Sequence, residues 1–227
     1  MVLAQILAKI VYNKNGVEIG GISSSGNLIY TLTKNLDNII YSEDKIVITK
    51  NKKQYHYHPG KVGKVIINDA TNIESVKNNT YDYLYASHVL EHIANPIKAL
   101  NEWLRIIKPD TYLILILPEK SRTFDRLRPI SSFETILNQY KNNVSEDDLS
   151  TLPEILKYHD IRKDGKVKSL KEFKERSYKN FENRFLHHYV YDEKLLKQIC
   201  TYLKCKYIYS ETRGLNIWFI LQKTTDF

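Results

Sequence analysis

Cysteine, the residue that staples a fold covalently, is nearly missing from this chain: only Cys200 and Cys205 occur among 227 residues. A lone C-x4-C pair is slight support for zinc, and a reducing cytosol disfavours a disulfide. Both cysteines therefore read as packing residues near a helix–strand junction. No metal is expected. Long hydrophobic runs are also missing. The opening MVLAQILAKIVYNK is too short, and too interrupted by Lys9, for a signal peptide or a membrane span. It reads as a short amphipathic helix ahead of the first strand, and no later apolar run reaches membrane length. A soluble, cytoplasmic protein is the expectation. The chain has no Arg-rich tract and no RNP-like aromatic motif of the kind nucleic-acid binders carry. The G-x-G-x-x-G of dinucleotide enzymes is absent as well. No internal repeat or low-complexity linker divides the chain.

What is present describes a folded α/β protein. The hydrophobic share is 42%, tyrosine alone contributes 17 residues, and the length predicts one domain over 1–227. The net charge is +8, which would attract an anionic partner if it were concentrated, but lysine is spread along the whole chain. Residues 86–118 carry the clearest pattern. The apolar Tyr83–Ala86 suits a buried parallel strand, and Asn95 followed by Pro96 suits a helix N-terminus. Ile97, Leu100, Leu104 and Ile107 recur at helical spacing, Lys108 suits the helix C-terminus, and Pro109 should stop the helix. Tyr112–Leu117 is again a continuous apolar run. Strand, helix and strand of this kind make a right-handed βαβ unit, with ligands at the carboxyl ends of the strands. Ser87, His88, Glu91 and His92 stand at one such end, and Pro118, Glu119 and Lys120 at the other.

Elsewhere, Val17-Glu18-Ile19 before Gly20-Gly21 reads as a first strand ending in a glycine turn. Asn38–Tyr41 reads as a second strand, with Asp37 at its start, and Lys64–Asn68 as a third that ends at Asp69-Ala70-Thr71. His56 and His58, in QYHYHPG, belong to a β-hairpin or loop. Residues 119–190 form a long charged segment with helices over Ser132–Tyr140, Asp147–Tyr158 and Lys171–Asn183. Glu146-Asp147-Asp148 marks a helix N-terminus there. So long a connection above the carboxyl edge of a sheet suits a lid or substrate-recognition segment. Asp192 caps a last helix over Glu193–Leu203, and two β-rich runs around Arg213-Gly214 form a closing hairpin.

The run SHVLEHIANPIKALNEWLRIIKP resembles the fourth strand and following helix of class I S-adenosylmethionine (SAM) dependent methyltransferases, of the type 11-like domain. More narrowly, the chain resembles a bacterial group with VEIGG-type first loops and an RTFDRLRP segment after the fifth strand. The resemblance implies a Rossmann-like sandwich with a mostly parallel central sheet, an antiparallel C-terminal strand and a helical lid, and SAM as cofactor. On the residues matching the family's positions, the cofactor would meet Glu18, Gly20, Gly21 and Ser23 at the first loop and Asp69 and Ala70 after the third strand, with Ser87 beside them. An acidic residue near the second strand would hold the ribose; Asp37 is the choice, with Glu43 and Asp44 as competitors. The loop departs from the family's common G-x-G. Asp69 also suits the cap of a following helix.

Methyl transfer needs an aligned acceptor and, for a hydroxyl, a proton acceptor, which histidine provides near neutral pH. His88 and His187 are the catalytic candidates, and His92 and His188 the substrate-side ones. Because neighbouring residues on a segment point to different sides, one of the pair 187–188 is expected at the site. His88-Val89-Leu90-Glu91-His92 matches the H-x-x-E-H of inverted zinc peptidases, but that motif needs a continuous helix, and His88 follows a strand directly. Glu91 and His92 can equally be capping residues. Arg122, Arg126 and Arg128 could fork onto an anionic acceptor or, equally, make a solvated helix start with Asp125. The function implied is O-methylation of a small or glycan-linked acceptor, as in polysaccharide biosynthesis. Two alternatives stay open: a non-catalytic methyltransferase-like partner subunit, and a nucleic-acid methyltransferase.

Overall fold

A computed structural model describes residues 2–42 and 54–225. The sequence pattern survives in its main lines. Helix α1 (Val2–Val11) precedes β1 (Asn15–Ile19), α2 (Asn27–Leu32) and β2 (Asn35–Ile40). The QYHYHPG stretch is indeed a hairpin, β3 (Gln54–His58) with β4 (Lys61–Ile67), and β5 (Tyr81–Ser87) follows. Helix α3 (Pro96–Ile106) starts at Asn95, whose side chain accepts from Lys98 N as a cap should. It ends before Lys108 and Pro109, because Ile107 leaves the helical face and pairs with Tyr81 as the first residue of β6 (Ile107–Pro118).

The insertion carries α4 (Phe133–Lys141), α5 (Leu152–Tyr158), α6 (Leu170–Tyr178) and the single turn α7 (Asn180–Asn183). Glu146 does not open a helix as expected; α5 begins at Leu152. The chain closes with α8 (Glu193–Tyr202), β7 (Lys206–Arg213) and β8 (Asn216–Gln222), turning at Gly214, whose φ is +62°.

Among the described residues the strands form one eight-stranded sheet in the order β3-β4-β2-β1-β5-β6-β8-β7. The middle is parallel, from β4 to β6, and β8 inserts antiparallel between β6 and β7. Strand order reverses between β1 and β5, so a crevice opens at their carboxyl ends. No helix among the described residues is long and apolar enough to cross a membrane.

The sheet separates two apolar layers. On one face Val17, Ile19, Leu84 and Ala86 pack against α3 and α8; on the other Tyr83, Tyr85, Ile114 and Ile116 pack against α1, α2 and β3. A third, smaller cluster around Leu152, Ile155 and Phe173 belongs to the insertion.

Alternation across β1 puts Glu18 on the second face, away from its neighbours Val17 and Ile19. It is fully buried and accepts hydrogen bonds from the hydroxyls of Tyr30 (2.9 Å) and Tyr55 (2.5 Å). Burial outweighs those two bonds and raises the carboxyl from its ordinary 4.5 to about 8. The folded protein therefore holds a proton that the unfolded chain releases above pH 4.5. Its contribution to stability is full below pH 4.5 and falls by about 1.4 kcal/mol per pH unit until the folded carboxyl ionises. Denaturant melts should show wild type losing stability from pH 5 to pH 8 more steeply than Glu18→Gln, which has the same shape without a titrating group and can accept from one hydroxyl and donate to the other. Parallel pH profiles for the two proteins would refute this account.

Candidate active site

The crevice is a cavity of about 310 Å³, at the lower end of the range for small-molecule sites. Its floor comes from the ends of four strands: Gly20 and Gly21 after β1, Ile39 to Tyr41 at β2, Asn68 to Ala70 after β4, and His88 and Val89 after β5. His92 and Ile93 form one wall, and the insertion roofs it with Glu146, Asn183, Arg184 and Phe185. A larger hollow of about 830 Å³ lies between α4 and α8, but its lining is mostly solvated side chains and touches no strand end.

Gly20 makes the cavity possible. Its φ is +98°, and a Cβ there would lie 2.6 Å from Val89 Cγ2, so only glycine lets the β1 and β5 loops meet this closely. Around Gly21 a Cβ would meet nothing within 4 Å, which leaves open space above the turn. That space, the flat apolar surface of Ile39, Ile40, Ala70 and Ile93, and the acceptor oxygens of Asp69 fit a nucleoside with a charged tail. Asp69 Oδ1 accepts from Thr71 N and Oγ1 (2.8 and 2.7 Å) in a turn, not in the helix cap expected of it. Trp103 of α3 holds the Ala70 carbonyl at 3.0 Å.

Of the other residues expected at the cofactor, several are held elsewhere. Glu18 is locked in the tyrosine layer on the far face. Ser23 and Ser87 bond to each other (2.9 Å) and tie the two loops together without lining the cavity. Asp37 is the third residue of β2, not a residue at its start, and lies about 10 Å short of the strand end at ~3.3 Å per residue. Its carboxylate is spent on Asn35, Lys64 N and Tyr81. Glu43 and Asp44 fall outside the described residues.

His88 stands at the carboxyl end of β5 with φ +54°, a left-handed conformation that histidine tolerates better than most residues. Its side chain is 41% exposed; Nδ1 lies 3.5 Å from Glu91 Oε1, and Nε2 lies 2.8 Å from Asn216 Oδ1. Glu91 makes the imidazole more basic than usual, against the effect of burial. Burial opposes ionisation of Glu91 itself, but His88, His92 and His187 together hold its carboxyl below the usual range. Burial, with help from His187, pushes His92 down to about 4.

His187 and His188 diverge, as neighbours on an extended segment should. His187 faces Asp125 and the ring of His92, whereas His188 is buried against Asn180 and Glu146; neither lines the cavity. The arginines do not reach it either. Arg122 is exposed, and Arg126 pairs with Asp160 at 2.5 Å. Arg128 is 1% exposed and bonds to Asp125, Glu154 and the carbonyls of His187 and His188.

Residues the sequence did not single out complete the site. Arg184 lies between Asp69 (3.3 Å) and Glu146 (3.4 Å) and over the ring of Tyr41, 5.2 Å from its centroid. Tyr41 in turn donates to the carbonyl of Glu182. The end of the insertion is thereby fastened across the strand ends.

A family model described as a methyltransferase domain matches residues 3–201. This chain belongs to that methyltransferase family. Three solved structures share the fold at low sequence identity. A protein of Pyrococcus horikoshii OT3 is 14% identical, with a TM-score of 0.57 over 98% of this chain and 88% of that one. A SAM-dependent methyltransferase of Aquifex aeolicus is 13% identical, with a TM-score of 0.51 over 97% and 86%. The N-methyltransferase NodS of Bradyrhizobium japonicum WM9 is 10% identical, with a TM-score of 0.50 over 98% and 93%. Among curated proteins no sequence matches this chain.

In this methyltransferase, Gly20→Ala should cost about 1–3 kcal/mol through its positive φ and the clash with Val89. It should also abolish the thermal shift given by S-adenosylhomocysteine. An unaltered shift in the variant would mean that the cofactor does not lie over this turn.

Proposed function

We propose that the enzyme methylates an oxygen of a small or glycan-linked acceptor that enters the cavity beside His88. Gly20, Gly21, Asp69 and Ala70 hold the cofactor: the glycine turn gives close backbone approach, and Asp69 accepts hydrogen bonds. SAM, when bound, supplies a methyl group on a positively charged sulfur. The remaining task falls to the chain's own residues, which must align the acceptor, take its proton and keep water out.

The observation that carries this reading is the placement of His88. It stands at the strand end shared with the cavity, partly exposed, with the Glu91 carboxylate behind Nδ1 at 3.5 Å. Nε2 donates to Asn216 Oδ1 at 2.8 Å, so the lone pair of the neutral ring is on Nδ1, and a proton taken there would be stabilised by that carboxylate. The 119–190 insertion acts as the lid, with Arg184 between Asp69 and Glu146 as its fastening. Because Arg122, Arg126 and Arg128 are engaged or distant, and Arg184 is matched by two carboxylates, the cavity favours an uncharged hydroxyl compound over an anionic one.

Calorimetry should detect one molar equivalent of S-adenosylhomocysteine. Screening sugars and other hydroxyl compounds for incorporation of labelled methyl should reveal the acceptor. With that acceptor, His88→Asn should lower turnover by about 10²- to 10⁴-fold while S-adenosylhomocysteine affinity stays within threefold of wild type. Unchanged turnover would remove His88 from the chemistry, and absence of cofactor binding would sink the whole reading.

A further inference from the structure

We propose that Glu91, His92 and His187 form a binding site for a single divalent transition-metal ion of the zinc, iron or manganese class. One ligand atom from each lies within 4.8 Å of the others, a spread that bonds of about 2.1 Å close with small side-chain rotations. The H-x-x-E-H sequence supplies two of the three groups, and the insertion delivers the third from far along the chain.

Glu91 gives the first independent sign of a missing ligand. Its side chain is 1% exposed, and neither carboxylate oxygen has a hydrogen-bond partner. A buried carboxylate without a partner is costly, and such groups are normally paired or coordinate a metal. His88 does not answer the need: its Nδ1 stands off at 3.5 Å from one oxygen, beyond good hydrogen-bond geometry, and leaves the other untouched.

The histidines give the second sign. His92 Nδ1 lies 3.2 Å from the carbonyl of Leu186, and a carbonyl only accepts, so the proton is on Nδ1 and the lone pair on Nε2. His187 Nδ1 donates to Asp125 Oδ2 at 2.5 Å, which in the neutral ring leaves the lone pair on Nε2. Metal-binding histidines are held in this way, with the second ring nitrogen donating to a carbonyl or carboxylate. Asp125 is itself fixed by buried Arg128 at 2.9 Å, which also grips the His187 carbonyl at 2.8 Å. The two rings meet edge-on, with centroids 4.5 Å apart and an 83° interplanar angle.

Two imidazoles and one carboxylate suit borderline divalent ions better than magnesium or calcium, which take oxygen ligands. Three protein ligands also leave a coordination position open. Since His92 lines the cavity, that position would take an oxygen of the acceptor. This last step, unlike metal binding itself, rests on the proposed function.

The test uses the untagged full chain, stripped with chelator and dialysed, then titrated with zinc, manganese or magnesium chloride by calorimetry and thermal melting. One equivalent of zinc or manganese should bind, and at a hundredfold excess over Kd the melting temperature should rise by about 5–10 °C. Glu91→Gln and His187→Gln should lose that rise. Metal-free Glu91→Gln should melt below metal-free wild type, because the histidines that favour the ionised carboxylate lose their partner; the missing rise on adding metal, not the starting temperature, separates a ligand from a structural residue. A rise of equal size in Glu91→Gln overturns the proposal, as does a response to magnesium alone or to no ion. Parallel melts with S-adenosylhomocysteine keep the readings apart. A cofactor response without a metal response overturns the metal site only, and the reverse overturns only the cavity as the cofactor site.

Discussion

The site depends on one close approach, between the backbone of Gly20 and the side chain of Val89. A Cβ on residue 20 would lie 2.6 Å from Val89 Cγ2, so the β1 and β5 loops can meet only because none is there. Gly20 N donates to the Ile39 carbonyl at 2.9 Å, which carries the turn on to the end of β2. With three strand ends brought together, small-molecule space opens at the carboxyl edge of the sheet. One face is closed by tyrosines around Glu18. Face and edge divide the labour: the buried hydrogen bonds of the face hold β1 in place so that the crevice at its end can stay open.

The insertion is organised by a different constraint, the need to satisfy a buried guanidinium. Arg128 is enclosed almost completely and spreads its donors over Asp125, Glu154 and two consecutive carbonyls, His187 and His188. Removing one member of such a buried network typically costs about 3–5 kcal/mol, since the partners are left uncompensated. The two ends of the insertion are thereby held together. The returning segment is then fixed against α3 and its approach: His188 N donates to the Glu91 carbonyl at 2.8 Å, and Tyr189 donates to the Ala94 carbonyl at 2.7 Å. A residue that reads as a substrate-binding arginine is in fact what places His187 beside Glu91.

Legibility in the sequence followed the range of the interactions. The β5–α3–β6 unit could be read because caps and apolar periodicity are local signals: Asn95, Pro96 and the Ile97–Leu100–Leu104 stripe work within a few turns. The glycine turn could be read for the same reason. Glu18 and Asp37 could not, because both are acidic residues within strands whose partners, Tyr55 and Tyr81, come from other strands. Knowing that Asp37 lies inside β2 required the exact start of that strand, and one residue of error reverses the face. Arg184 and Tyr41 left no local trace of a role at the site. Their roles arise when a long insertion folds back, and Glu146 carried a misleading one, since Glu-Asp-Asp resembles a helix start.

The protein's charge also reads differently at the site than in the whole chain. An excess of eight positive charges suggests an anionic substrate, but a field acts where charges converge, and the lysines do not converge here. At the cavity the charged groups are Asp69 and Glu146 against Arg184, with His88 alongside, so the local balance is close to neutral. Arg184 is held by both carboxylates and over an aromatic ring, and freeing it for an anionic acceptor would leave Asp69 and Glu146 in a partly buried space without their partner. That penalty works against phosphorylated or carboxylated acceptors. An uncharged hydroxyl compound imposes no such exchange and needs only the hydrogen-bonding edge of the histidine wall. On the proposed function, the electrostatics of the cavity, more than the net charge of the chain, would set which acceptors enter.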